Sequence, residues 1–109
     1  MKKIALTLVV FIFGISLYSQ SAPVSQRIIG SWKGDMFADS IVLTFNDNGI
    51  VTLMWLDDND VESGRYFITD SALIINIDDD VEVFSYYFSQ NGNVLVFGTD
   101  GDWVWLERQ

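Results

Sequence analysis

Carboxylates carry most of the chemical potential of this chain. Fifteen Asp and Glu stand against six Lys and Arg among 109 residues, with no His and no Cys. The densest groups are Asp57-Asp58-Asn59-Asp60, followed by Glu62, and the run Asp78-Asp79-Asp80. Hard oxygen ligands this close together suit calcium, which takes about six to eight oxygens from a loop that curls around it. With Asp58 as the first ligand, however, the position that an EF-hand loop gives to glycine is Ser63, and the second run is too short to encircle an ion. Asp57, Asp58 and Asp60 stand as the metal candidates. The expectation is nonetheless solvated hairpin loops, with no metal and no cofactor.

The absence of His and Cys removes Ser-His-Asp and Cys-His nucleophilic catalysis, His-based zinc sites and redox thiols together. What remains for an enzyme is a carboxylate pair of the glycosidase kind. Nearly all the carboxylates sit in turn-like stretches, and Glu62 and Glu82, near the starts of strand-like stretches, have no evident partner. The chain is therefore expected not to be an enzyme.

Residues 1–20 read as a secretory signal peptide. Lys2 and Lys3 precede an apolar run from Ile4 to Leu17, and small and polar residues follow at Ser19, Gln20, Ser21 and Ala22. The run is short for a membrane span, which needs about 20 apolar residues. The expectation is an exported protein, periplasmic or secreted, with no membrane segment in its mature form. Beyond residue 20 the cations are Arg27, Lys33, Arg65 and Arg108 against fifteen carboxylates, a net charge of −11. Such a charge disfavours nucleic acid and anionic lipid. It leaves a cationic protein as a possible partner, though it serves solubility equally well.

Residues 21–29 read as a linker, with the single proline at Pro23 and one helical turn over Val24 to Ile29. From there to residue 109 the pattern is strands and turns. Alternation predicts strands at Ser31–Met36, Ile41–Phe45, Ile50–Leu56, Glu62–Thr69, Ala72–Ile77, Val81–Phe88, Val94–Phe97 and Trp103–Arg108. Asn-Gly and Asp-Gly dipeptides at 48–49, 91–92 and 100–101 supply the positive φ that tight hairpins need. No connection is long enough for a crossover helix, so the strands must run antiparallel in a meander. Half of the residues are apolar, and no disulfide is available to a domain this small. Closing the sheet buries apolar area and removes sticky edges, so the expected fold class is all-β, an eight-stranded antiparallel up-and-down meander barrel.

Residues of one parity then share the interior: Ile41, Leu43 and Phe45; Tyr66 and Ile68; Leu73, Ile75 and Ile77; Phe84, Tyr86 and Phe88; Leu95 and Phe97. Two strands do not alternate. "IVTLMWL" at 50–56 is apolar on both faces apart from Thr52, and "WVWLE" at 103–107 is similar. Exposed apolar residues at Val51, Leu53 and Trp55, or at Val104 and Leu106, would favour a protein partner or a homodimer.

Gly30-Ser31-Trp32 at the first strand, seven further strands in meander order and Arg108 near the end of the last resemble the lipocalin and calycin superfamily. Within it the chain is similar to small secreted lipocalin-like domains of Gram-negative bacteria. The resemblance spans residues 30–108. It implies that Trp32 closes one end of the barrel beneath Arg108, with Gly30 allowing close backbone approach. It further implies a small hydrophobic ligand in the barrel, for which Met54, Tyr66, Phe84, Tyr86 and Phe88 are the candidate lining residues. The chain lacks the length, the C-terminal helix and the long mouth loop of full-size lipocalins. The other reading is a protein-interaction or inhibitor module with a barrel filled by its own aromatics and an acidic, apolar outer surface.

Overall fold

The computed structural model describes residues 22–109; the segment 1–20 read from the sequence as a signal peptide, and Ser21, lie outside the described residues. One helical turn, α1 (Val24–Arg27), leads into eight strands: β1 (Gly30–Met36), β2 (Asp39–Phe45), β3 (Ile50–Trp55), β4 (Asp60–Ile68), β5 (Leu73–Ile77), β6 (Asp80–Phe88), β7 (Val94–Thr99) and β8 (Asp102–Arg108). Each strand pairs antiparallel with the next, and β8 returns to β1, so the sheet closes into an up-and-down barrel. The closing seam matches Trp32 with Arg108, Lys33 with Glu107 and Gly34 with Leu106. Closure removes the free strand edges that an open sheet would leave.

Gly34 is required at that seam. A Cβ there would run into the Trp105 carbonyl oxygen and the Leu106 side chain, so only glycine lets β8 approach β1 closely enough to pair.

The connections are short, and four of them are shorter than the predicted strands leave. Asp78-Asp79 and Asp100-Gly101 form two-residue turns with both residues at positive φ. Phe37-Ala38, joining β1 to β2, does the same at φ 54° and 71°. Neither residue favours that region, which is why the sequence left 37–40 as a longer gap. Register explains the difference: Met36 pairs with Asp39 and Asp35 with Ser40, whose hydroxyl donates to Asp35 Oδ1 at 2.9 Å. The long antiparallel ladder imposes the turn on residues that would not choose it.

Strand register also resolves the two strands with apolar residues on both faces. Phe45 pairs with Val51 and Leu43 with Leu53, which places Val51, Leu53 and Trp55 on the interior side. Val51 and Leu53 are buried and Trp55 half-buried; Leu106 is buried and Val104 half-buried. The exposed apolar side chains of these strands are instead Met54, Trp103 and Trp105. Tyr87, whose ring stacks at a tilt against Trp103 (6.4 Å), joins Trp103 and Trp105 in an aromatic patch on the outer wall, whereas Met54 lies apart from it on β3. The exposure of Val51, Leu53, Trp55, Val104 and Leu106 that would favour a partner is therefore not met, and a period-2 pattern apolar on both faces carries no information about which face is which.

The core runs through the barrel as one cluster: Ile28, Trp32, Ile41, Leu43, Phe45, Val51, Leu53, Leu73, Ile75, Leu95, Phe97 and Leu106. It is not uniform along the barrel axis, and the two ends differ in chemistry.

Candidate functional site at the open end of the barrel

The first end gathers the start of β1, the end of β2, the start of β3 and the ends of β4, β6 and β8, and it is closed. Trp32 is 0% exposed and donates its indole N–H to the Ile28 carbonyl at 2.9 Å, tying the plug to the chain just after α1. The Arg108 guanidinium lies over its ring, with Cζ 4.2 Å from the centroid. That guanidinium also donates to three backbone carbonyls: Arg27 at 2.6 Å, Ile29 at 3.1 Å and Gly92 at 3.3 Å. Partial burial among these groups depresses the Arg108 pKa below its ordinary value. Gly30 sits at φ 129°, a conformation that L side chains rarely adopt, with Arg108 directly against it.

Three of the candidate ligand residues belong to this closed end. Tyr66 packs edge-on against Phe45 (5.0 Å) and donates to the Asn46 carbonyl at 2.6 Å. Tyr86 donates to the Thr69 carbonyl at 2.5 Å and meets Phe88, which in turn meets Trp32. Burial raises the pKa of both phenols; Asp47 adds to the effect at Tyr66 and Asp70 at Tyr86, where Arg27 opposes it. These rings point inward and fill this half of the barrel. Met54 takes the opposite face: it pairs with Val42 and Val61 on the outer wall and touches no interior space. Its position follows from the same register that turns Leu53 and Trp55 inward.

The other half of the barrel is hollow. A cavity of about 820 Å³ opens between the ends of β1, β3, β5 and β7 and the starts of β2, β4, β6 and β8. Its floor is hydrocarbon: Leu43, Leu53, Ile75, Phe84, Phe97 and Val104, with the Phe84 and Phe97 rings edge-to-face at 5.0 Å. Of the five candidate lining residues, Phe84 alone contacts this space. The apolar floor above one filled half reflects the distribution of aromatics along β4 and β6, with bulky rings at their closed-end halves and a glycine, Gly64, two residues before Tyr66.

The mouth is acidic. Asp35, Glu62, Asp78, Asp80, Glu82 and Asp102 line it, and among the described residues no Lys or Arg does. Strand pairing turns three of these toward the interior: Glu62 faces Leu53, Glu82 faces Ile75 and Asp80 faces Ile77 across the ladder. Glu62 is fixed by the Trp55 indole, which donates to its Oε2 at 2.9 Å. Of the fifteen acidic residues only Asp47, Asp70 and Glu107 lie in the closed half, whereas Arg27, Arg65 and Arg108 all do. The barrel is thus polarised along its axis.

No protein-family model matches the chain, and no curated protein shows significant similarity to it. What the arrangement can do must therefore be read from its own residues. The carboxylates ring an opening without meeting at a point, and among the described residues no three of them are grouped to hold a metal ion. Asp57, Asp58 and Asp60 lie separate and exposed in and beside the β3–β4 turn. Glu62 and Glu82 gain their place from parity: each stands two or four residues before the inward Tyr66, Phe84 and Tyr86 on the same strand. That signal was present in the sequence, but it becomes meaningful only once the barrel leaves room in front of them.

Proposed function

We propose that this chain is an exported, lipocalin-like binding protein that takes a small, largely apolar molecule into the open half of its barrel and performs no catalysis. The observation that carries this reading is the cavity of about 820 Å³ with a hydrocarbon floor. Ligand pockets typically fall in the range of about 300–1,000 Å³ and are mostly apolar with a few polar groups. An eight-stranded barrel is also the size at which one small ligand fits inside. The signal-like segment at residues 1–20 supports export to the periplasm or beyond. The lack of His and Cys supports a binding role over an enzymatic one.

Titration with the neutral dye N-phenyl-1-naphthylamine tests the reading. Wild-type protein should enhance its fluorescence saturably, and Val104→Trp, which fills the cavity from β8, should abolish the enhancement without lowering the urea midpoint. Absence of enhancement in the folded wild type would refute the pocket as a binding site.

A second reading is favoured by the outer aromatic patch of Tyr87, Trp103 and Trp105, which suits a homodimer or a protein partner, a cationic one by charge. It calls for a self-association measurement. A concentration-dependent dimer in wild type that Trp105→Glu dissociates would establish it, and a monomer at all concentrations would remove the homodimer.

A further inference from the structure

We propose that the molecule admitted at the open end is a cationic amphiphile, with an apolar body against the barrel floor and an ammonium-type head among the carboxylates of the mouth. The proposal rests on the binding reading above and adds to it the charge of the ligand.

The sign of the lining decides against the opposite charge. Among the described residues six carboxylates and no cation border the entrance, so a fatty acid or a phosphate ester would carry its head into a ring of like charge. Low-dielectric walls around such a ring focus its field outward along the path of entry, attracting cations and rejecting anions. A wholly neutral ligand would gain nothing from this charge.

The change from polar to apolar is sharp and runs along the strands. On β6, Glu82 is followed on the inward face by Phe84; on β8, Asp102 is followed by Val104. Two residues along a strand span roughly 6.6 Å. A ligand lying along the axis therefore meets charge at one end and hydrocarbon about four or five bond lengths from its head. Tyr66, Tyr86, Phe88 and Trp32 block the far half, so the body ends where the filled half begins.

Two further features suit an organic cation over a metal ion. The six carboxylates come from β1, β4, β6, β8 and the β5–β6 turn, and among the described residues no three are grouped to hold a metal ion, which matches a bulky, diffuse charge better than a compact one. Aromatic rings stand among them: Trp103 lies at the rim, and Phe37 projects from the tip of the β1–β2 turn, 82% exposed, where a glycine or asparagine would fit the backbone better. Ring faces and carboxylates together are what ammonium groups seek. The hydrogen bond from Trp55 holds Glu62 in place before any ligand arrives.

The test displaces the bound dye with three probes that share one chain and differ in head: decyltrimethylammonium, decanol and decanoate, each kept below micelle formation. The ammonium should displace at concentrations about tenfold lower than decanol, with decanoate weakest of the three. Its advantage over decanol should shrink as ionic strength rises. In the variant Glu62→Gln/Glu82→Gln the advantage should fall to about twofold or less, with decanol unchanged; Asp102→Asn provides the same reading if the double variant does not fold. Equal displacement by ammonium and decanol, tightest binding of decanoate, or a preference indifferent to salt would overturn the proposal while leaving the pocket intact. Failure of the dye and of all three probes to bind would refute the pocket itself and this proposal with it.

Discussion

Replacing Trp32 by alanine should be among the most damaging single changes this barrel can suffer. The ring is 0% exposed, so its loss removes a full aromatic transfer term and leaves a cavity; large-to-small changes of this kind cost about 3–5 kcal/mol. Two contacts are lost with it: the indole N–H bond to the Ile28 carbonyl at 2.9 Å, and the stacking of Arg108 at 4.2 Å, the latter worth about 0.5–2 kcal/mol. A domain of this size has a total stability on the order of 5–15 kcal/mol, so the variant should sit near its unfolding threshold. Urea melts followed by far-ultraviolet circular dichroism measure the change without relying on tryptophan fluorescence. Trp105→Ala, on the outer wall, is the control and should cost about 0.5 kcal/mol or less. Arg108→Met should itself be costly, since it strands the Arg27, Ile29 and Gly92 carbonyls, and the double variant should be less damaging than the two single losses added. A fall of less than about 1 kcal/mol for Trp32→Ala, or equal effects of Trp32→Ala and Trp105→Ala, would refute the assignment of this end as a packed closure.

Other outcomes follow from the same geometry. Tyr66 and Tyr86 have pKa values raised from 10.0 by burial, so their stabilisation is complete below the unfolded value and is lost as pH climbs through the higher folded values. Stability should therefore decline above about pH 10, and Tyr66→Phe/Tyr86→Phe should flatten that decline while lowering neutral-pH stability through the two lost hydrogen bonds. Phe37→Asn/Ala38→Gly should raise stability by about 1–2 kcal/mol by relieving two left-handed residues, and weaken ammonium binding by removing a ring from the mouth; a calorimetric melt and the displacement assay read the two effects separately. Gly34→Ala should disrupt pairing at the β1–β8 seam, seen as lost hydrogen-exchange protection of the strand amides there.

The fold could be read from the sequence because its signals agree. Turn dipeptides, short connections and alternating strands all point to one meander, and the eight observed strands fall within about two residues of the expected ones. At the closed end, the placing of Arg108 over Trp32 came only from what the resemblance implied; the structure puts Cζ of Arg108 4.2 Å from the Trp32 ring centroid, a contact between residues far apart in sequence that alternation alone does not give. The open half was not. Whether aromatic rings fill a barrel depends on where along each strand they sit relative to its neighbours, and that is set by register, which alternation alone does not give. Tyr66, Tyr86 and Phe88 share the face of Phe84 but lie deeper, so parity grouped four rings that the structure divides between a filled end and a cavity. Met54 was misplaced for a related reason: β3 is apolar on both sides, and only its pairing with Leu43 and Val42 tells inside from outside. Of the mouth carboxylates, Asp78, Asp80 and Asp102 read as turn residues and Glu62 and Glu82 as strand starts without a partner; that Asp80 and Asp102 join them depends on strands that begin at Asp80 and Asp102, earlier than the apolar pattern does.

Chemical-shift mapping on isotope-labelled protein during titration with decanol tests the central claim most directly. The amides of Leu53, Ile75, Phe84, Phe97 and Val104 around the cavity should move together and saturate, while those of Trp32, Tyr66 and Phe88 at the filled end stay in place. Shifts confined to the outer wall around Tyr87 and Trp105, or no saturable shifts at all, would contradict a binding site inside the open half of the barrel.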